Sequence, residues 1–180
     1  MKKLVFTGNL IKGLLFLFIA ANLYSCKKGD DDNGNSFTCE NYWGRVDLNS
    51  ICNLGFPASF TFDSPPQAGA TTICIANVLQ NSEPDYTGLI LITKTPSNES
   101  AITAYEAKLS GISPQNDIED FDAGGERGFI VKIAGTERYD YTAVKESFLI
   151  QYDASVEPDT NPCLTKVNHD AYMRLIVAEL

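Results

Sequence analysis

Histidine is almost missing from this chain: His169 is the only one in 180 residues. Imidazole-based acid–base chemistry therefore has a single candidate. It stands beside Asp170 in the closing stretch, where helical neighbours point in different directions, so it is expected on a helix surface. No GxSxG supplies a nucleophile elbow. GGERG at 124–128 lacks both the GxGxxG and GxxxxGK spacings and reads as a turn rather than a phosphate cradle. No CxxC pair exists, so with one histidine a zinc site lacks donors. Basic residues are scarce too, 14 against 23 acids for a net charge of −9. Phosphate backbones require clustered Lys and Arg, which excludes nucleic acid as a partner. A membrane-length apolar run is also missing: GLLFLFIAANL at 13–23 has 11 residues, where a spanning helix needs roughly 20. Neither a catalytic set nor a cofactor motif is present, and the chain is not expected to be an enzyme.

The N-terminus holds Lys2, Lys3 and Lys12 with no acid before Asp30, then the short apolar run, then small residues. A basic start, a short greasy middle and a cut site describe a secretory signal over 1–25. The competing reading is a retained anchor helix. Cleavage before Cys26 leaves 11 bases against the same 23 acids, a net charge of −12. LYSC at 23–26 resembles the lipobox of bacterial lipoproteins, with Leu23 as the aliphatic residue and Ser25 as the small one before the cysteine. Tyr24 is bulkier than the commonest residue at its place. The resemblance implies that Cys26 carries a diacylglyceryl thioether and an acylated amine, such as a palmitate chain supplies. Two chains already give stable membrane anchoring at about 0.8 kcal/mol per buried methylene. The alternative is an ordinary signal with Cys26 as a disulfide partner.

Residues 27–36, KKGDDDNGNS, cannot bury enough apolar area to order themselves and read as a tether. Ten residues reach at most ~35 Å. The run Asp30, Asp31 and Asp32 behind Lys27 and Lys28 resembles the export signal of Bacteroidota lipoproteins. That resemblance implies an outer-membrane protein displayed at the cell surface. DDDNGN does not fit a calcium loop, because its glycine and closing glutamate fall at the wrong spacing.

Cys39, Cys52, Cys74 and Cys163 remain, an even number in an exported chain, so disulfides are the default. Four cysteines allow three pairings. Cys52–Cys74 around the turn-rich DSPPQAGAT, with Cys39–Cys163 tying the domain's start to its last helix, is the favoured set. The loop-entropy account assigns these about 3 and about 5 kcal/mol.

From Phe37 to Leu180 the pattern is that of one domain. VDLNSICNLGF (46–56) suggests a short helix capped by Asp47. ASFTF (58–62), TTICIANVLQ (71–80) and TGLILITK (87–94) read as strands. SNESAITAYEAKLSG places Ile102, Tyr105 and Leu109 at helical spacing, with Ser97 or Asn98 as cap and Gly111 as stop. DIEDFD, GFIVKIA, RYDYTAV and SFLIQYD follow as extended stretches. Asn161-Pro162 then opens an amphipathic helix with Leu164, Val167, Ala171, Leu175 and Ala178 on its apolar face. Strands, helix, strands, helix predicts an α+β fold, a mostly antiparallel sheet with two main helices packed on it and two disulfides.

CNL at 52–54, AITAYEAKLSG at 101–111 and GGERGF at 124–129 resemble small cysteine-containing lipoprotein domains of actinobacteria and, more broadly, the PsbP-like α-β-α sandwich. The segments 81–86 and 153–162 and the Cys39–Cys163 couple have no place in that pattern. The resemblance implies a binding or accessory protein and assigns no reaction.

The densest carboxylate cluster is Asp117, Glu119, Asp120, Asp122 and Glu126. It could hold calcium or supply a glycosidase pair; as a charged strand edge it would discourage strand pairing. Strand alternation separates Asp120 and Asp122 from Glu119. Tyr42-Trp43 could stack on a sugar, but a lone tryptophan in a small domain is more often core. Asn98-Glu99-Ser100 matches a glycosylation sequon while also serving the helix cap. The functional expectation is a non-enzymatic outer-membrane lipoprotein whose domain binds a partner protein or small ligand. The alternatives are an envelope hydrolase using the 117–126 carboxylates and a structural subunit of an envelope assembly.

Overall fold

A computed structural model describes residues 37–53, 59–61, 72–79 and 86–180. The signal, Cys26 and the tether lie outside the described residues. The first element among the described residues is a helix that sequence patterning does not reveal, α1 at Cys39–Trp43. Thr38 caps it by accepting a hydrogen bond from the Asn41 backbone N–H. The helix expected over 46–56 is, among the described residues, a single 3-10 turn at Leu48–Ser50, and Asp47 is its cap.

The strands are β1 Ser59–Thr61, β2 Thr72–Leu79, β3 Tyr86–Lys94, β4 Asp117–Asp120, β5 Arg127–Lys132, β6 Arg138–Lys145 and β7 Phe148–Ser155. Helix α2, Asn98–Ser110, follows β3, and helix α3, Lys166–Ala178, closes the chain. The seven strands form one sheet in the order β1-β2-β3-β7-β6-β5-β4, antiparallel at every pairing. The α+β expectation holds, as do both main helices. Ser97 caps α2 by accepting from the Ser100 N–H, and Gly111 ends it.

Alternation along the strands divides the sheet into two faces. One face carries Cys74, Ala76, Ile90, Ile92, Ile130, Tyr141, Ile150 and Tyr152, packed under α1 and α3. The other carries Phe129, Val131, Val144 and Leu149 under Ala101 and Tyr105 of α2. Helix α2 packs on β6 and β7. Ile73, Ile75, Leu89 and Leu91 of β2 and β3 occupy the same face as α2 but lie to one side of it.

Two expectations are corrected. The disulfides are Cys39–Cys74 and Cys52–Cys163, with Cα–Cα distances of 5.3 and 5.6 Å. Cys52–Cys74 and Cys39–Cys163 do not form. Helix α1 sets Cys39 against the inner face of β2, where Cys74 is fully buried. The turn at Leu48–Ser50 then leads Cys52 to the segment entering α3, where Cys163 lies with its Sγ 3.3 Å from Asn53 O. Closeness along the chain between 52 and 74 misleads here because the fold brings Cys74 to α1.

The buried face of α3 is shifted from the expected one: Leu164 is buried and Leu175 packs partly against the core as expected, but Val167 and Ala178 are exposed. His169, Tyr172, Met173, Ile176 and Val177 face the sheet, whereas Val167 is 75% exposed. The helix begins after Thr165, whose side chain accepts from the Asn168 N–H. Asn161-Pro162 instead shapes the preceding turn, with Asn161 accepting from the backbone of Cys163 and Leu164. Tyrosine and histidine make the inner face because their polar tips reach partners while their rings pack.

Candidate functional site

The sheet places the predicted acidic cluster on its edge and disperses it. Strand β4 is the last strand of the sheet, and all four of its residues are exposed. Glu119 lies 3.8 Å from Lys166 Nζ on the α3 side. Asp120, paired in register with Phe129, belongs to the α2 side. Asp122 accepts from the Gly124 N–H at 2.9 Å and shapes a turn. Glu126 Oε1 accepts from Asn98 Nδ2 at 2.6 Å and from the Glu146 N–H at 3.2 Å. The expected alternation of Glu119 and Asp120 holds, and the carboxylates do not converge. Among the described residues no group of three or more His, Cys, Asp or Glu side chains could hold a metal ion.

GGERG is a turn leading into β5. Gly124 has φ +81°, and a Cβ on Gly125 would lie 2.4 Å from Val144 O. The positive φ at the first and the backbone contact at the second favour glycine at both positions, as a turn requires. Asn98 Nδ2 is engaged by Glu126 and by Glu146 O. Trp43 is only 3% exposed and packs edge-on against Tyr42, with ring centroids 4.7 Å apart. It belongs to the core.

His169 is a correction: it lies fully buried, not on the helix surface. Ser155 O can only accept, so His169 Nε2 carries the hydrogen and donates across 2.9 Å. Nδ1 then accepts from the Tyr152 hydroxyl at 2.6 Å. Burial pushes the imidazole pKa down, opposed by the Ser155 carbonyl and by Asp170. Both ring nitrogens are occupied, leaving this histidine a structural clasp. Tyr141 donates to Asp170 Oδ1 at 2.8 Å, and burial, followed by that carboxylate, raises its pKa. Tyr42 donates to Ile176 O at 2.5 Å. These hydroxyls join the sheet and α1 to α3.

Sequence reasoning missed two features. The first is the cross-strand pair Asp140 and Asp153 on β6 and β7. Like charges directly opposite are unfavourable, and two cations compensate them. Arg138 bonds Asp153, and Lys108 interacts with both carboxylates from α2. Burial, then Asp153, raises the Asp140 pKa. Burial lowers that of Lys108 although both acids oppose the shift. The signal was the matching position of Asp in RYDYTAV and SFLIQYD, usable only once the register is known.

The second is a groove of about 1000 Å³ between β2, β3 and α2. Ile73, Ile75, Leu89 and Leu91 form its floor, Ala104 and Ala107 its helical wall, and Thr95, Pro96 and Glu99 one end. Leu89 is 43% exposed. Strand patterning offered a signal, since TTICIANVLQ and TGLILITK are apolar on both faces. The open face becomes evident only because α2 packs over β6 and β7.

No protein-family model matches the chain, and no curated protein matches it. Among solved structures, the extracellular domain of PknH from Mycobacterium tuberculosis is similar at a TM-score of 0.47 and 12% identity. The match covers 80% of this chain and 96% of that one. Among the described residues no helix is long and apolar enough to cross a membrane.

Proposed function

We propose that the chain is a non-enzymatic lipoprotein of the outer membrane, anchored through Cys26, whose disulfide-bridged domain binds a small ligand or a partner protein. The observation that carries the binding reading is the apolar groove beside α2. Ligand sites are concave and mostly apolar, with a few polar groups at the rim, and this groove has that composition. The LYSC lipobox and the acidic tether support the anchoring and the surface address. Two disulfides suit an oxidising compartment.

The experiment is fractionation of cells expressing the chain and its Cys26→Ala variant. The parent should partition with outer membranes and lose whole-cell protease resistance; the variant should leave the membrane fraction. Retention of the variant in the membrane would defeat the anchoring claim, and full protease protection of the parent would place the domain inside. The hydrolase alternative calls on Asp117, Glu119, Asp120, Asp122 and Glu126. Their separation across an edge strand and two turns disfavours it. Turnover of a glycan panel, abolished by alanine at all five with the fold intact, would restore it.

A further inference from the structure

The composition of the groove selects its occupant. Ile73, Ile75, Leu89 and Leu91 are aliphatic, and no aromatic ring is among the described lining residues. Rim hydroxyls are engaged within the protein. Thr95 Oγ1 lies 2.7 Å from Ser97 O and 2.9 Å from Ser147 O, sharing its one hydrogen. Thr103 donates to Glu99 O at 2.8 Å, and Ser100 Oγ meets Ser97 Oγ at 3.0 Å. Besides Glu99, the polar side chains left for a ligand among the described lining residues are the Thr93 hydroxyl and the Gln151 amide. They are too few to match the many polar groups of a sugar or peptide, whose desolvation without partners is costly. Ala104 and Ala107 leave room along the helical wall.

Charge narrows the choice further. Glu99 is the sole ionisable side chain among the described lining residues, and none of them is Lys, Arg or His. The cations of β3 and α2 make other contacts: Lys94 lies over the rings of Phe37 and Phe148, and Lys108 faces Asp140 and Asp153. At the described lining a carboxylate or phosphate head would meet the Glu99 carboxylate and no cationic side chain. From Thr95 to Leu89 the strand runs about 20 Å at ~3.3 Å per residue, a length that suits an extended long-chain acyl group.

Anchoring supplies the source. A lipid on Cys26 would hold the domain within reach of the 27–36 tether, at most ~35 Å, where membrane amphiphiles are concentrated.

We propose that the groove takes up a single-chain aliphatic amphiphile from the membrane, with an uncharged or cationic head beside Glu99 and the tail running toward Leu89. This rests on the binding-module reading above and names its ligand class.

The test measures one-to-one complexes by native mass spectrometry and competition, using the lipidated protein and the full chain carrying Cys26→Ser. The probes are 1-monopalmitoylglycerol, hexadecyltrimethylammonium and palmitate. The two non-anionic probes should bind both forms, with palmitate weaker by about tenfold. Ala107→Trp, which fills the groove from an exposed helix position, and Leu89→Lys, which charges its far end, should each weaken binding by about tenfold or more. Thermal melts confirm that each variant folds. Glu99→Gln should narrow the gap to palmitate. Absence of complexes, palmitate binding equal to the neutral probe, an unchanged gap in Glu99→Gln, or binding indifferent to both groove variants would each overturn the proposal. Binding by the Cys26→Ser chain alone would assign the groove to the protein's own anchor, and so overturn uptake of a free amphiphile. If an apolar peptide binds instead and Ala107→Trp abolishes it, the ligand class fails while the binding-module reading survives. If no probe of any class binds, both fail.

Discussion

The Tyr152 hydroxyl donates to His169 Nδ1 at 2.6 Å, clasping β7 to α3 inside the core. The second nitrogen of the same ring donates to Ser155 O, so the imidazole is held neutral in one tautomer. Protonating Nδ1 would oblige the Tyr152 hydroxyl to turn from donor to acceptor and would place a charge in the core.

That arrangement sets a pH dependence. Burial lowers the folded pKa of His169 below its ordinary value of 6.5. The unfolded chain therefore binds more protons below about pH 6.5, and the neutral clasp favours folding above it. Stability should be fully present above pH 6.5 and fall as pH drops toward the folded pKa. The slope from this group is at most about 1.4 kcal/mol per pH unit. Denaturant unfolding between pH 7.5 and 5 checks it, and His169→Gln should flatten the profile in that window. An equal slope in the variant would move the effect to other groups.

Removing the donor alone should also be costly. Tyr152→Phe leaves Nδ1 buried without a partner, at about 1–3 kcal/mol. Equilibrium unfolding at pH 7.5 measures it. A change below ~0.5 kcal/mol would mean that the ring nitrogen finds another donor.

The disulfides give a covalent prediction. Non-reducing peptide mapping should recover Cys39 linked to Cys74 and Cys52 linked to Cys163. The loops span 35 and 111 residues, so the loop-entropy account gives about 4 and about 5 kcal/mol before any native-state cost. Replacing Cys52 and Cys163 together by Ala should lower stability by about 2–5 kcal/mol. Recovery of a Cys52–Cys74 peptide would contradict this fold near α1.

What was legible in the sequence, and what was not, follows from the range of the interaction that decides each feature. Ser97, Gly111 and the period of Ile102, Tyr105 and Leu109 are local signals, and α2 lies where they place it. Strand segments such as TGLILITK were readable for the same reason. Cysteine pairing depends on how α1 meets β2, a contact between distant segments with no local trace. The inner face of α3 is not fixed by its apolar residues alone, because two helical phases both collect them: Leu164, Val167, Leu175 and Ala178 on one, Met173, Ile176 and Val177 on the other. Contact with the sheet selects the second, together with Tyr172 and His169, whose polar tips find partners, while Leu175 packs only at its margin. The groove is a property of where α2 ends up on the sheet, so strand composition hinted at it without locating it.

The rotated face of α3 is itself testable. Met173 is fully buried while Val167 is 75% exposed. Met173→Ala should cost about 2–5 kcal/mol through lost packing and the cavity left behind. Val167→Ala should stay within about 0.5 kcal/mol. Urea midpoints of the two variants settle the orientation, and comparable losses would return Val167 to the core.

The last prediction concerns the two-residue connection between β6 and β7. Glu146 is the sole non-glycine among the described residues with positive φ, at 51°. That conformation costs an L-residue roughly 1–2 kcal/mol relative to glycine. Glu126 offsets part of the cost by accepting from the Glu146 N–H at 3.2 Å, while the Glu146 carbonyl accepts from Asn98. These are backbone contacts, so Glu146→Gly keeps them and removes the strain. The substitution should raise stability by up to about 1 kcal/mol, reduced by the extra freedom glycine gains when unfolded. Glu126→Ala should act in the opposite sense, by about 1 kcal/mol, because Asn98 and the turn N–H lose their acceptor. Thermal unfolding of the two single variants and the double variant measures their coupling. With glycine at 146 the turn needs less support, so Glu126→Ala should cost less there than in the parent. Strict additivity would show that Glu126 acts on Asn98 alone.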